Sequence, residues 1–220
     1  MSTYAIANRP IPVYSTLRPD PTQLELICFP KTKFTIIKEA TPTIVQITTQ
    51  EYPSKKPLYV DRRFLVDASE ATPEREKILP TAQTILDFMK SKIGTRYLWG
   101  GNWATGIPEM QEFYLEEPVT DDLLCKGVDC SGLLYQATNG FTPRNTSDLC
   151  NYGIEIKDPA EVKPLDMMVW EGHVIFVLNS TQCIESFGGR GVIVSDFMER
   201  YHFFKEKQFT LRRWHPDFLT

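Results

Sequence analysis

The chain has 220 residues, of which 42% are hydrophobic and 24% are charged, and its formal net charge is −4. This length allows one large or two small domains with a substantial core. The mildly acidic charge argues against a nucleic-acid-binding protein, which needs a basic surface, and the sequence has no apolar run of about eighteen residues that could span a membrane.

The N-terminus and the cysteines bear on the cellular compartment. The first residues lack a basic segment followed by an apolar stretch of roughly 7–15 residues, which is the pattern of a secretory signal. The five cysteines, at positions 28, 125, 130, 150 and 183, are odd in number and contain no CxxC spacing. Neither a zinc site nor a disulfide framework is therefore predicted. We expect a cytoplasmic protein with reduced thiols, and a periplasmic or envelope location stays open.

The first 70 residues have the character of strands and turns. Short runs rich in β-branched residues, at 35–37, 43–49 and 58–60, are separated by prolines, which favours short strands over helices. The segment predicts a small antiparallel β-barrel over residues 1–70. A second domain is expected over residues 71–220.

Two helices are predicted at the start of the second domain. Thr72 is a good N-cap and Pro73 suits the first helical position, so a helix is expected from Thr72 until Pro80 interrupts it. A second helix is expected from Thr81 to Ile93, with an apolar face directed to the core and a glycine as its stop.

An aromatic cluster and two glycines follow. Tyr97 and Trp99 precede Gly100 and Gly101, a pattern typical of backbone with positive φ or in close contact with another group. A tight structural turn and the wall of a ligand site are both open readings. Residues 102–128 are irregular and acidic, and a loop of this length is usually functional or disordered, although a run of charges is more often a solvated face.

Cys130 stands at the start of a predicted short helix, which Asn139 and Gly140 end. Unsatisfied backbone N–H groups and the helix dipole favour a thiolate at such a position. We therefore expect the pKa of the Cys130 thiol to be lowered. The alternative is an inert thiol, because free cysteine is often a small core residue.

The C-terminal part predicts an antiparallel sheet. Helices come first and consecutive strands afterwards, which indicates an α+β domain with helices packed on the sheet. The predicted strands lie at 164–170, 173–178, 183–186, 192–194 and 209–214.

A nucleophilic cysteine needs a base, and the chain has three histidines. His173 opens a strand, where its ring can project from a sheet edge toward a helix terminus. His202 lies in an aromatic stretch typical of packing, and His215 is expected to be exposed. His173 is therefore the candidate base, and a structural histidine at the start of a strand is the alternative.

A third group has to orient the base. If the strands at 173–178 and 183–186 form a hairpin, Glu185 lies opposite His173 or one step off. A carboxylate there would fix the ring tautomer and favour the imidazolium form. Asn179 and Gln182 are polar alternatives, and Glu185 could also be an exposed residue without a role.

Four short motifs, in this order, resemble the signature of the NlpC family of papain-like cell-wall cysteine peptidases. The resemblance covers roughly residues 75–215, and its most specific part is the Asp-Cys-Ser-Gly-Leu block followed by Gly-His-Val. The first 70 residues are similar, more loosely, to the bacterial SH3-like barrels that often precede this domain. The motifs are Tyr97-x-Trp99-Gly100-Gly101, Asp129-Cys130-Ser131-Gly132-Leu133, Pro143-Arg144 and Gly172-His173-Val174.

The resemblance implies a papain-like catalytic domain that hydrolyses the γ-D-glutamyl–diaminopimelate bond of peptidoglycan stem peptides, in cell-wall remodelling or recycling. Cys130 would be the nucleophile, His173 the general base and acid, and Glu185 the third catalytic residue. No metal and no organic cofactor is implied.

The resemblance also implies how the substrate is held. Tyr97, Asp129 and Ser131 would bind the free N-terminal amine of the stem peptide's L-alanine, because a carboxylate forms strong charge-assisted hydrogen bonds with an ammonium group. Trp99 and Arg144 complete the predicted substrate-binding residues. The expected partner is a short stem peptide, and a monomer is the default expectation.

Two departures from the family pattern leave other functions open. The third catalytic position is usually His, Asn or Gln, whereas this chain has Glu185, and the segment 102–128 is longer than usual. A non-catalytic protein that binds peptidoglycan peptides or acts as a scaffold is one alternative. A cysteine amidase or acyltransferase with the same residues is another.

Overall fold

The computed structural model describes residues 3–17, 20–114 and 119–219. Within them lie fifteen strands, five α-helices and five short 3₁₀ turns, and no helix is long and apolar enough to cross a membrane. The strands are β1 (Tyr4–Ala7), β2 (Ile11–Tyr14), β3 (Leu24–Cys28), β4 (Lys33–Glu39), β5 (Ile44–Thr48), β6 (Leu58–Asp61), β7 (Leu65–Ala68), β8 (Asn102–Trp103), β9 (Gly127–Val128), β10 (Ile154–Ile156), β11 (Met167–Trp170), β12 (His173–Val177), β13 (Gln182–Phe187), β14 (Gly191–Asp196) and β15 (Thr210–Arg213). The α-helices are α1 (Ala82–Ser91), α2 (Met110–Phe113), α3 (Cys130–Ala137), α4 (Thr146–Leu149) and α5 (Phe197–Phe203). The 3₁₀ turns are Pro21–Gln23, Arg62–Phe64, Pro159–Glu161, Lys205–Lys207 and Pro216–Phe218.

The chain divides into two compact units. The first comprises Met1–Lys77 and Leu98–Gly127, and the second comprises Ile78–Tyr97 and Val128–Thr220. This division differs from a single boundary near residue 70, because the segment after Tyr97 contributes core residues to the first unit. These residues are Leu98, Ile107, Met110 and Cys125.

The segment 102–128 is therefore more than an irregular acidic loop. It carries β8, α2 and buried apolar residues of the first unit, while Glu112, Asp121 and Asp122 are exposed to solvent. Residues 115–118, which belong to the same predicted loop, lie outside the described residues. Its apolar residues fix this segment in the first unit's core.

The first unit is built on a seven-stranded antiparallel sheet in the order β3-β2-β6-β5-β4-β1-β7. Alternate residues of β1 are buried, as the two-residue period of a strand requires when one face packs on a core. The predicted antiparallel β character is therefore present. The order has two ends, β3 and β7, so the described strands show no closed barrel, and the SH3-like barrel is not shown.

The helix predicted from Thr72 is wrong, because residues 73–80 have no helical structure. A helix this short is only marginally stable, and a proline disfavours helical backbone at the residue before it. Side chains of the first unit hold part of the segment instead. Lys33 Nζ donates to the carbonyl of Thr72 at 2.7 Å, and Arg75 forms an ion pair with Glu51 at 2.8 Å.

The second unit packs helices on a six-stranded antiparallel sheet in the order β10-β15-β11-β12-β13-β14. Helix α3 contacts β12, β13 and α1, which confirms the predicted α+β arrangement of helices on an antiparallel sheet. Helix α1 starts after the N-cap Thr81, as predicted, but ends at Ser91, so Ile93 is 53% exposed. The central strands of this sheet and the start of α3 carry most of the candidate site residues.

Gly191 holds the start of β14 against the segment that leads to Tyr97. Its φ is +71°, and a Cβ at this position would collide with the carbonyl oxygen of Thr95. The neighbouring Val192 N–H donates to the same oxygen at 2.8 Å. The position therefore needs glycine both for its conformation and for space.

Gly191→Ala is expected to lower the free energy of unfolding by at least about 2 kcal/mol, because left-handed backbone alone costs roughly 1–3 kcal/mol in a non-glycine residue and the collision adds to it. Urea denaturation measures the change. Gly189→Ala is the matched control, since Gly189 has φ +79° but its Cβ would meet no atom within 4 Å. Equal losses in the two variants would contradict the close contact with Thr95.

Candidate active site

Helix α3 begins at Cys130, and Asp129 is its N-cap. Asp129 Oδ1 accepts the Gly132 N–H at 2.6 Å, which satisfies one of the free donors of the first turn. Leu133 is fully buried, and residues 139–140 both have positive φ after the helix, as predicted. Local capping and burial thus fix the direction of the thiol-bearing turn.

The Cys130 thiol is buried, with the residue only 6% exposed. Burial is the largest cause that raises the thiol pKa to about 12, and the Asp129 carboxylate raises it further. The backbone N–H groups of Val174 and Ser131, which point at the sulfur, and the Arg144 charge lower it by less. The predicted lowering of this pKa is therefore wrong, because desolvation of the charged form outweighs the donors at the helix start. The thiol of the free protein is protonated at neutral pH.

His173 is the first residue of β12 and is 9% exposed. Its Nε2 lies 2.7 Å from Glu185 Oε2. Because a carboxylate only accepts hydrogen bonds, Nε2 carries the proton in this pair. The lone pair of the neutral ring is then on Nδ1, which has no hydrogen bond among the described residues. Trp170 and Phe187 lie beside the ring, with centroids at 5.1 and 5.5 Å.

Strands β12 and β13 form the predicted hairpin, with Phe176 opposite Ile184. Continuing this register puts Glu185 opposite Ile175. Glu185 is then two positions away from the residue opposite His173, on the same face of the sheet, so the expectation that it lies opposite His173 or one step off is wrong. Diagonal neighbours of this kind are within reach of long side chains, which accounts for the hydrogen bond.

The start of β12, which His173 opens, lies beside the Cys130 sulfur. The backbone N–H that reaches the sulfur belongs to Val174, the residue after His173. No hydrogen bond joins the thiol and the ring in the described part of the chain. Hydrogen bonds of catalytic pairs are often long in a free protein and shorten when substrate binds. The residue after His173 therefore contacts the thiol through its backbone.

A buried ion pair stands beside the thiol. Arg144 donates from Nη1 to Asp129 Oδ1 at 3.0 Å and from Nη2 to Asp129 Oδ2 at 2.7 Å. Nη1 also donates to Ser131 Oγ at 2.9 Å. Arg144 is 5% exposed, so this residue, predicted to bind substrate, is a buried hydrogen-bonding partner of Asp129 and Ser131. The geometry is the bidentate fork that strengthens an arginine–carboxylate pair.

Tyr97 lies close to this cluster. Its backbone forms a parallel bridge with Val128, directly before the N-cap. Burial raises the pKa of its hydroxyl, and the charges of Asp129 and Cys130 raise it further. The hydroxyl is therefore a neutral donor within electrostatic range of both residues. The second unit thus brings together Tyr97, Asp129, Ser131 and Arg144 from the predicted substrate-binding set.

Arg144→Met is expected to lower the free energy of unfolding by about 3–5 kcal/mol, because it leaves the buried Asp129 carboxylate without its charge partner. Thermal or urea denaturation measures the loss. The control is Arg62→Met, since Arg62 pairs with Glu39 at 2.6 Å on the surface. An exposed pair contributes about 0–1 kcal/mol. Equal losses at the two sites would contradict a buried structural role for Arg144.

Glu185 has a second partner that sequence reasoning missed. Arg200 Nη2 lies 2.6 Å from Glu185 Oε1 in an ion pair whose angles do not fit a hydrogen bond. Arg200 lies in α5, close to His202, in the aromatic stretch whose sequence predicted only a packing role. Its pairing with Glu185 depends on how α5 folds back on the sheet, and no local pattern in the sequence signals that contact.

The remaining residues named from the sequence differ in their exposure. Trp99, predicted to bind substrate, belongs to the first unit and is 61% exposed. His202 is exposed. The expected exposure of His215 is wrong, because it is 2% exposed, its ring lies 5.2 Å from that of Trp214, and Nε2 is 3.1 Å from the carbonyl of Pro80.

All five cysteines are free thiols. Over residues 3–17, 20–114 and 119–219, no group of three or more His, Cys, Asp or Glu side chains could hold a metal ion. The cluster itself offers a thiol, an imidazole and two carboxylates, each of which is paired with an arginine.

No protein-family model matches the chain, and no curated protein matches it. Solved structures share a likeness in fold. An NlpC/P60 family protein from Bacillus cereus ATCC 10987 is 16% identical over 97% of this chain and 63% of its own, with a TM-score of 0.46.

Two proteins from Mycobacterium tuberculosis are similar over 60% of this chain. The peptidoglycan hydrolase RipB is 25% identical over 63% of its chain, with a TM-score of 0.44. RipD, described as a non-catalytic NlpC/p60 domain protein adapted to peptidoglycan binding, is 19% identical over 95% of its chain, with a TM-score of 0.44. The chain spans less than two thirds of the Bacillus cereus protein and of RipB, and all three TM-scores are below 0.5.

Proposed function

We propose that the chain is a cysteine peptidase that hydrolyses the γ-D-glutamyl–diaminopimelate bond of peptidoglycan stem peptides. One observation supports the proposal: Tyr97, Asp129 and Arg144, which come from three of the motifs, lie within electrostatic range of the Cys130 thiol in the second unit. Cys130 stands at the start of α3, and His173, oriented by Glu185 at 2.7 Å, opens the neighbouring β12. A nucleophile, a base and an orienting group are the three parts that covalent acyl transfer requires.

The first half of the reaction forms a thioester. The Cys130 sulfur attacks the γ-carbonyl carbon while its proton passes to Nδ1 of His173. The transfer accompanies the attack, because the raised thiol pKa leaves almost no thiolate in the free protein. The Cys130 backbone N–H at the helix start is a suitable donor to the developing oxyanion. The carbon–nitrogen bond then breaks, and His173 returns the proton to the amine of the diaminopimelate product.

The second half of the reaction hydrolyses the thioester. His173, again neutral, takes a proton from a water molecule that attacks the acyl carbon. The carbon–sulfur bond breaks, the sulfur recovers the proton, and the peptide leaves with a free γ-carboxyl group. Glu185 holds the ring in one tautomer through both halves, which is the role of the third residue in such sites.

The charge cluster beside the thiol supports recognition of a free amine. An ammonium group at the N-terminus of the stem peptide would meet the carboxylate of Asp129 and the hydroxyl groups of Tyr97 and Ser131. Asp129 is already paired with Arg144, so the ammonium would share this carboxylate. A charge-assisted hydrogen bond of this kind is stronger than a neutral one.

Product identification on a stem-peptide panel tests the function. We expect the protein to convert L-Ala-γ-D-Glu-meso-diaminopimelate into L-Ala-γ-D-Glu and diaminopimelate, detected by mass spectrometry. The N-acetylated peptide is the matched control, and its kcat/KM should be lower by about 10²-fold, since it lacks the charge that Asp129 would bind. Cleavage of no peptide in the panel would overturn the proposal, and equal cleavage of both peptides would overturn the amine recognition.

A second candidate is a non-catalytic protein that binds peptidoglycan peptides. The buried, protonated thiol and the absence of a ring–thiol hydrogen bond in the described residues favour it. Alkylation by iodoacetamide at pH 7 separates the two candidates. A peptidase should lose at least about tenfold in the alkylation rate of Cys130 when His173 is replaced by glutamine, because the ring withdraws the thiol proton. An unchanged rate would favour the binding protein.

The third alternative uses the same residues for acyl transfer. An amidase or acyltransferase would form the same thioester and pass it to a different acceptor. Adding a free amine to the stem-peptide reaction discriminates, because a transferase would yield the new amide in preference to the free acid. Release of the free acid alone supports hydrolysis.

A further inference from the structure

The carboxylate that orients His173 is completely buried and contacts two basic side chains. Glu185 is 0% exposed. One of its oxygens lies 2.7 Å from His173 Nε2, and the other lies 2.6 Å from Arg200 Nη2. A buried carboxylate is unfavourable unless it is paired. Two partners therefore compete for one negative charge.

Aromatic rings hold Arg200 in this position. Its guanidinium carbon lies 4.6 Å from the ring centroid of Phe204 and 5.3 Å from those of Phe187 and Phe203. Phe204 and Phe187 also lie beside the His173 ring, at 6.1 and 5.5 Å. The same rings thus fix both basic groups around Glu185, and cation–π contacts favour a charged guanidinium there.

The charge on Glu185 matters because His173 must start as a neutral base. A lone buried carboxylate stabilises the imidazolium form of its partner. A ring that is already protonated cannot accept the proton of Cys130. A positive charge on the far side of the carboxylate removes this bias and leaves its hydrogen bond to the ring in place.

We propose that Arg200 is a positioning residue that offsets the charge of Glu185, so that Glu185 acts on His173 as an orienting hydrogen-bond acceptor and not as a counter-ion. The inference rests on the proposed peptidase function. Around the ring, charge comes from Glu185 on β13 and Arg200 on α5, while β11 contributes the uncharged Trp170. The Cys183 thiol on β13 lies within electrostatic range of Glu185, Arg200 and Asp196. The Cys130 thiol on α3 lies beside the backbone of Val174, with Asp129 and Arg144 close to it.

A charge-balance experiment tests this role. Arg200→Gln leaves Glu185 without a positive charge beside it. We therefore expect kcat/KM at pH 7 to fall by about 10²-fold, and the acid limb of the pH profile of kcat/KM to move to higher pH by at least about one unit. Adding Glu185→Gln should reverse most of both effects. Arg200→Lys retains the positive charge and is the second variant in case Arg200→Gln does not fold. Its pH profile should keep an acid limb close to that of the wild type.

The matched control is Arg213→Gln. Arg213 pairs with Asp166 at 2.7 Å, and its side chain is 13% exposed against 12% for Arg200. Both are buried ion pairs of the second unit, but within the part of the chain that the structure describes no hydrogen bond joins the Arg213 pair to His173. A shift of the acid limb in this control, or no reversal in the Glu185→Gln/Arg200→Gln variant, would overturn the proposal.

A readout without substrate separates this proposal from the peptidase proposal. Spectra of ¹⁵N-labelled histidine follow protonation of the His173 ring in each variant. The ring should stay protonated to higher pH in Arg200→Gln and return toward wild type when Glu185→Gln is added. This response without cleavage of any peptide would support the role of Arg200 and overturn the peptidase. Cleavage with an unchanged ring response would overturn the role of Arg200.

Discussion

Cys130→Ala is expected to lower kcat/KM for L-Ala-γ-D-Glu-meso-diaminopimelate by about 10⁴-fold or more, the scale seen when a catalytic nucleophile is removed. The physical reason is that Cys130 begins a helix, whereas the other two thiols of the second unit, Cys150 and Cys183, follow a helix and lie within a strand, respectively. Single-turnover assays by stopped flow or quenched flow measure the loss of peptide cleavage. The variant should fold, because alanine removes only one small buried atom from the site.

The control for this variant is Cys150→Ala. Cys150 is also a free thiol, with intermediate exposure, at the end of α4. Its removal should leave kcat/KM within about twofold of the wild type, since surface changes of this kind have small effects. Retention of more than a tenth of the activity by Cys130→Ala would contradict a covalent mechanism at this residue.

His173→Gln is expected to lower kcat/KM at pH 7 by about 10²–10⁴-fold, the contribution of a positioned general base. Glutamine can still donate a hydrogen bond to Glu185, so the loss reports the base and not the packing. The pH dependence should change as well. Because burial raises the pKa of the Cys130 thiol to about 12, its thiolate fraction rises about tenfold per pH unit below that value.

The variant should therefore gain reactivity steadily as the pH rises. Alkylation of Cys130 by iodoacetamide in His173→Gln should accelerate about tenfold per unit between pH 7 and 10. The rate in the wild type should rise less steeply, because the ring withdraws the thiol proton. The control is His202→Gln, since His202 is exposed. Identical pH profiles in the wild type and His173→Gln would contradict the assignment of His173 as the base.

Features set by short-range chemistry could be predicted from the sequence. The start of α3 at Cys130 follows from the capping carboxylate of Asp129, and its end follows from the left-handed residues 139–140. The hairpin that joins His173 to Glu185 follows from two β-rich runs and a polar turn, but its register places Glu185 two positions from the residue opposite His173. Both features depend on residues that are close in the chain.

Features set by tertiary contacts could not be predicted. The pKa of Cys130 depends on how much protein covers the sulfur, and a helix start alone does not give that depth. The burial of Arg144 requires the loop after α3 to fold back on Asp129. The ion pair of Arg200 with Glu185 joins a helix to a strand across the sheet edge, and neither residue carries a local signal of its partner.

The segment after Thr72, which was predicted to be helical and is not, shows the same division between local and tertiary effects. Thr72 and Pro73 are good helix-starting residues, but the segment before the next proline is too short to be stable alone. Contacts such as the ion pair of Arg75 with Glu51 then decide its conformation. The segment after Tyr97 likewise joins the first unit because its apolar side chains are buried there.

Site-mapping of an affinity label tests the central claim most directly. The probe is L-Ala-γ-D-Glu in which a chloromethyl ketone replaces the scissile amide, so that a nucleophilic sulfur displaces chloride and stays attached. Peptide mass spectrometry should find the label on Cys130 and not on the half-exposed Cys150, and His173→Gln should slow labelling by at least about 10²-fold. Labelling of Cys150 at the same rate, or labelling of Cys130 that does not depend on His173, would contradict a thiol activated by this imidazole.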